Sequence, residues 1–255
     1  MIMNKLRLTG LISLVILTTS FSGTSQTLTA KEIVIKSQDK VNGESNRGAM
    51  KMTVVRPNWS REVEMKVWSL GEDFYMIYIL SPARDKGQVF MKRETDMWNW
   101  MPSISRMIKI PPSMMSQSWM GSDFTNNDLM RMNSYINDYT HRILGEEEIN
   151  GYQCYKVELM PLPDAAVVWG KIHIWISKDE FYQMQFEFFD EEMEAVNREI
   201  CSDVKQFGDR KLPSKMVMTP MDKPGNQTII EISEMEYNVN MQESFFSQQN
   251  MKNLR

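Results

Sequence analysis

The feature that most narrows the fold is a period-two alternation of apolar and polar residues that restarts repeatedly between short turns. In 48–56, Met50, Met52 and Val54 alternate with Lys51, Thr53 and Val55. In 61–69, Val63, Met65 and Val67 alternate with Glu62, Glu64, Lys66 and Trp68. PNWS reads as the hairpin turn between them, LGED leads into FYMIYILS, and PARDKG turns that segment into 88–92. Further on, Ile172, Ile174 and Ile176 oppose Lys171, His173, Trp175 and Ser177, while Tyr182, Met184, Phe186 and Phe188 oppose Gln183, Gln185, Glu187 and Phe189. Similar segments occupy 139–147, 152–160, 195–207, 212–219 and 227–237. Successive side chains of a strand point to opposite faces, so each segment has one side to bury and needs a second layer over it.

These spacings are those of an antiparallel meander in which each strand pairs with its predecessor. A sheet of about 10–11 strands is too long to lie flat. The expected fold class is therefore mostly β: a curled antiparallel sheet or unclosed β-barrel with covering helices. One cover is LTAKEIVIKSQDKVNG, where Thr29 caps a helix with Glu32 three residues on, Ile33, Val34, Ser37 and Val41 lie on or near one face, and Gly43 ends it. A second, short helix is expected over 126–132, capped by Asn126 or Asn127, with Leu129 and Met130 as its apolar positions. Phe245 and Phe246 are placed to tie down the C-terminal tail.

Lys5 and Arg7, the apolar run 8–17 and the small, polar stretch 18–26 have the layout of a secretory signal peptide, 1–26, cleaved near Ser25 or Gln26. Its apolar run of about ten residues is too short to span a bilayer as a helix. The expectation is a single β domain, 27–255, outside the cytoplasm. The net charge of −4 is spread over interspersed acidic and basic residues, so no basic stripe points to nucleic acid as a partner. Cys154 and Cys201 have neither a CxxC spacing nor a metal-ligand grouping, which leaves open a disulfide or two buried thiols.

Enzymatic signals are absent from the sequence pattern. The two histidines, His141 and His173, stand in no HxH or HExxH context, and no GxSxG, SxxK or Gly-rich phosphate loop occurs. Asp123 and Asp128 flank Asn126 and Asn127, but their spacing departs from a calcium loop and helix capping explains the same residues. The expectation is a protein that is no enzyme, with no catalytic residue, metal or cofactor.

The stretch 97–129, MWNWMPSISRMIKIPPSMMSQSWMGSDFTNNDL, is unlike the rest. It reads as a strand from MWNWM past Pro102 through Ile104, Arg106, Ile108 and Ile110, ending at Pro111 and Pro112. Large flexible apolar groups then follow among Ser, Gln and Gly, which suits either a packed core crossing or the lid of an apolar cavity. In the second case Trp98, Trp100, Met114, Met115, Trp119, Met120 and Phe124 are the lining or lid residues. Arg106 and Arg84 would then stand at the cavity mouth, able to hydrogen-bond ester or carbonyl groups of a lipid. The chain's 24 Met residues fit an adaptable wall for aliphatic guests, or simply replace Leu in a filled core.

Several motifs taken together resemble the outer-membrane lipoprotein-sorting proteins, relatives of the periplasmic lipoprotein carrier of Gram-negative bacteria. They are TAKEIVIKSQDKVNG, RPNWSREVEMKVWS, SPARDKGQVF, SMMSQSWMGSDF, NDYTHRILGEEEINGYQCYKVEL, PDAAVVWGKIHIWI and MDKPGNQT, and they span nearly the whole chain after the leader. The resemblance implies an unclosed barrel whose cavity takes lipoprotein acyl chains or another lipid. It also implies transfer from an inner-membrane ABC-type release complex to an outer-membrane acceptor, without chemistry. By order alone, Arg47, Arg56 and Arg61 are candidates for the family's functional arginine. An extended central insertion sets this branch apart and leaves its cargo open. The alternative class is an envelope scaffold or binding module with a filled core and no lipid cargo.

Overall fold

The computed structural model describes residues 28–131 and 135–254; the expected signal peptide, and the end of the expected helix at 132, lie outside them. Helix α1 (Ala30–Asn42) starts where the sequence places it. Thr29 and Glu32 form the reciprocal capping box, and the backbone N–H of Gly43, at φ 61°, closes the other end on the Asp39 carbonyl. Ile33 and Val34 are fully buried on its sheet-facing side.

Among the described residues all strands join one antiparallel sheet of 13 strands, more than expected. Strand β1 (Ser45–Arg56) lies at its middle. One arm runs outward through β2 (Trp59–Leu70), β3 (Phe74–Ser81), β4 (Val89–Arg93), β5 (Asp96–Met101) and β6 (Arg106–Lys109). The other arm is built by the second half of the chain, from β7 (Tyr139–Ile149) at its edge through β8 (Tyr152–Pro161), β9 (Lys171–Ser177), β10 (Gln183–Phe189), β11 (Ala195–Phe207) and β12 (Arg210–Pro220) to β13 (Gln227–Tyr237). The arms meet where β13 pairs with β1, Asn46 opposite Tyr237 and Val55 opposite Gln227. Strand β13 can come close at Gly48, where an added Cβ would lie 2.3 Å from the Glu234 carbonyl oxygen.

The stretch after MWNWM is a hairpin and not one long strand. Pro102 has no N–H for the ladder, residues Pro102–Ile104 form a single 3₁₀ turn, and Ser105 at φ 51° reverses the chain into β6, which pairs back along β5. Meander pairing also fails once, because β6 and β7 are opposite edges and do not pair with each other. The sheet is thus unclosed, and the described residues 110–131 and 135–138 lie between its two edges. This crossover carries the short helix α2 (Asn126–Arg131), whose first turn is held by Thr125 and Asp128: Thr125 N–H donates to Asp128 Oδ2 at 2.7 Å, and Asp128 N–H to Thr125 Oγ1 at 3.1 Å. Thr125, not an asparagine, makes the cap.

Strand parity sorts the core into two faces. On the concave face, Met52, Val54, Val63, Met65, Val67, Ile77 and Phe90 pack with Trp119 of the crossover, while Ile172, Ile174, Phe186, Phe188 and Met218 pack with α1. On the convex face, Met76, Tyr78, Val89 and Met91 are covered by the C-terminal segment, where Phe246 is fully buried on Phe74 and Met251 of α3 (Gln248–Asn253) is buried beside it. Cys201 packs on the concave side, Cys154 in a separate cluster with Trp175, Tyr182 and Met184, and both are free, buried thiols.

Candidate functional site

Between the concave face, α1 and the crossover lies a cavity of about 180 Å³. A single enclosed water needs about 10–15 Å³, so the space is about a dozen times that of one water. The sheet contributes Met50, Met65, Ile77, Phe186, Met216, Met218, Ile230 and Ile232, the crossover Trp119, Phe124 and Leu129, and α1 Val41. Polar lining residues gather at the end where α1 finishes and β1 begins: Lys40, Asn42, Asn46, Ser69, Glu72 and Lys92. There Lys40 pairs with Glu180 at 3.0 Å and Lys92 donates to the Glu72 carbonyl.

At the other end of β1 a latch holds the crossover to the sheet. Met120 at φ 49° and Gly121 at φ 74° turn the chain so that two successive carbonyls face the β1–β2 hairpin. Arg61 donates to the Met120 carbonyl, and Arg56 to that of Gly121 at 2.9 Å. Arg56 also pairs with Asp123 at 3.0 Å, and Asp123 accepts from the Thr228 hydroxyl at 2.7 Å. Arg61 Nε is buried beside these contacts without a hydrogen-bond partner of its own among the described residues. Arg47, by contrast, sits in an exposed pair with Glu236.

Among the ionisable groups lining the cavity are Asp128, Tyr135 and Glu199. Asp128 accepts Trp169 Nε1–H at 2.8 Å and the Thr125 N–H, yet burial still raises its pKa. Burial also lifts the Tyr135 phenol well above its usual value, with the nearby Asp128 and Glu199 carboxyls adding to it. Glu199 is pushed up to about 7, first by burial; the Cys201 thiol opposes that shift and Asp128 adds to it.

Of the residues the sequence suggested, Trp119 and Phe124 line the cavity. Met115 and Met120 pack against the concave cluster beside it, and Met114 is exposed. Trp98 and Trp100 stand on the convex face, beneath Lys109 and Lys252, because alternation along β5 points Met97 inward and the two tryptophans outward. Arg84 is exposed on its turn beside Asp85, and Arg106 is exposed at the start of edge strand β6; neither lines the cavity. Sequence reasoning missed Glu199 and Tyr135. In β11 the hydrophobic pattern is inverted, with Ile200 38 % exposed outside and Glu199 8 % exposed inside.

A family model described as "Uncharacterized protein" matches residues 71–253, well over half of the sequence. The chain belongs to that family. None of the curated proteins matches this family member. Among solved structures it is similar to a DUF1329 family protein from Desulfovibrio piger, with a TM-score of 0.80 at 20 % identity, covering 87 % of this chain and 97 % of the other. It is similar to a protein from Vibrio parahaemolyticus described as an outer membrane lipoprotein-sorting protein domain, with a TM-score of 0.78 at 22 % identity, covering 88 % and 98 %. A LolA superfamily protein from Nitrosomonas europaea gives a TM-score of 0.76 at 21 % identity, covering 88 % and 100 %. The family member's fold is therefore LolA-like, that of the outer membrane lipoprotein-sorting proteins.

Proposed function

We propose that the protein is a periplasmic carrier that shelters acyl chains of lipoproteins or other lipids in this cavity and moves them toward the outer membrane. In this reading the leader 1–26 is removed, 27–255 acts as one carrier domain, and no bond is made or broken in the cargo. Loading from an inner-membrane ABC-type complex and delivery to an outer-membrane acceptor belong to the same proposal. The observation that carries it is the cavity of about 180 Å³, whose walls are Met, Ile, Phe and Trp along most of their length. Each methylene moved from water into such a space gains about 0.8 kcal/mol, so a chain of a dozen offsets on the order of 10 kcal/mol of exposure. Met side chains rearrange at low cost around chains of different length, which suits a carrier that must also let go.

A fluorescent aliphatic probe tests this by titration and by displacement with diacyl lipid. Met216→Trp should fill the cavity and weaken probe binding at least tenfold while the far-UV circular dichroism stays that of a β protein. Equal binding by wild type and M216W, or no displacement by lipid, would favour a scaffold without cargo.

A further inference from the structure

Glu199 stands on β11 opposite Phe186 of β10 and Met218 of β12, and it lines the cavity while being 8 % exposed. Its hydrogen bond is a weak one, accepted at Oε1 from the Cys201 thiol at 3.6 Å. Among the described residues no Lys, Arg or His pairs with it. The groups facing it from each neighbouring element are Cys201 on its own strand, Asp128 on α2 and Tyr135 on the crossover, while β10 and β12 present Phe186, Phe188, Met216 and Met218. None of these supplies a positive charge. The cavity's two lysines, Lys40 and Lys92, lie at its polar end and are engaged there.

A hydrocarbon chain that fills the cavity removes water from the last accessible side of this carboxyl. A carboxylate then faces methylenes without a cation, at a cost of several kcal/mol, whereas the neutral acid loses far less. Asp128 differs, since the Thr125 N–H and the Trp169 indole hold its oxygens. Resting on the carrier reading above, we propose that Glu199 is the specificity-determining group of the cavity: an uncharged aliphatic chain enters together with one proton from solvent, which Glu199 holds as its carboxylic acid while the chain is bound. The same group excludes any cargo whose buried end is anionic. Burial already brings the empty-cavity pKa to about 7, so the coupling falls in an accessible pH range. The two histidines do not share that range above neutrality, because burial lowers the pKa of both His141 and His173.

The test uses 1-decanol, which has no titratable group, and the full chain freed of bound lipid, with calorimetry from pH 5.5 to 8.5. The expected Kd is level on the acid side and rises above about pH 7 toward tenfold per pH unit. Parallel titrations at pH 8, in two buffers of different ionisation enthalpy, should report uptake approaching one proton per chain. Glu199→Gln should abolish both the slope and the uptake. If that variant does not fold, the proton count on the unmodified protein decides alone. A level Kd with no proton uptake overturns the proposal but leaves the carrier reading standing. Decyltrimethylammonium binding at pH 8 at least tenfold more tightly than decanol would also overturn it, by making Glu199 a counter-ion for cationic cargo. Decanol binding at no pH would overturn the carrier reading as well.

Discussion

Arg47 and Arg56 are both on β1, yet their surroundings give them different weight. Arg47 and Glu236 are each more than half exposed, so Arg47→Ala should cost within about 0.2–1 kcal/mol. The side chains of Arg56 and Asp123 are 14 % and 8 % exposed, and removing the arginine leaves the carboxylate without its cation. Arg56→Ala should therefore lower stability by about 3 kcal/mol in urea unfolding; a loss no larger than that of Arg47→Ala would contradict the buried latch. Glu199 makes a pH-dependent prediction. Its pKa rises on folding from 4.5 to about 7, so the native state keeps a proton that the unfolded chain gives up. That penalty is absent below about pH 4.5, grows as pH rises to about 7 and is constant above. Glu199→Gln should match wild-type stability at pH 4.5 and exceed it by on the order of 3 kcal/mol at pH 8, read from unfolding midpoints at both pH values. Neither residue's role could be read from its neighbours in sequence. Arg56 finds Asp123 across 67 positions, and Glu199 is turned inward only because its strand presents Ile200 outward.

Among the elements, those whose signals are local were the legible ones. Thr29 and Glu32 sit three residues apart and form the capping box that starts α1, and Met50, Met52 and Val54 mark one face of β1 by alternation alone. The hairpin of β5 and β6 was less legible, because Ile104, Arg106, Ile108 and Ile110 keep a strand-like pattern through a reversal made by Pro102 and the left-handed Ser105. The crossover was recognisable as unusual by its Met, Trp and Gly content, but its path depends on which two strands end as edges. Its contacts make a prediction: in Arg56→Ala, amides of 117–127 should lose hydrogen-exchange protection while those of the β1–β13 pair keep theirs. Uniform loss across both regions would mean that the latch holds the sheet and not the cover.

For the molecule as a whole, alternation established the layers but not the hollow. Parity shows that Met65, Phe186, Met216 and Ile232 face inward; it does not show that they stop short of one another across the concave side. That gap follows from the curl of 13 strands, the meeting of two arms at β1 and β13, and a crossover held at its rim by Arg56 and Arg61. On the reading proposed above, this space keeps aliphatic surface out of water between two places. Mass analysis of an organic extract of the protein, taken from a periplasmic fraction and purified without detergent, tests this at first hand. The prediction is acyl lipid or acylated peptide near one molecule per chain, lost in Met216→Trp. An extract with no aliphatic material, from a protein that also fails to take up the fluorescent probe, would contradict it.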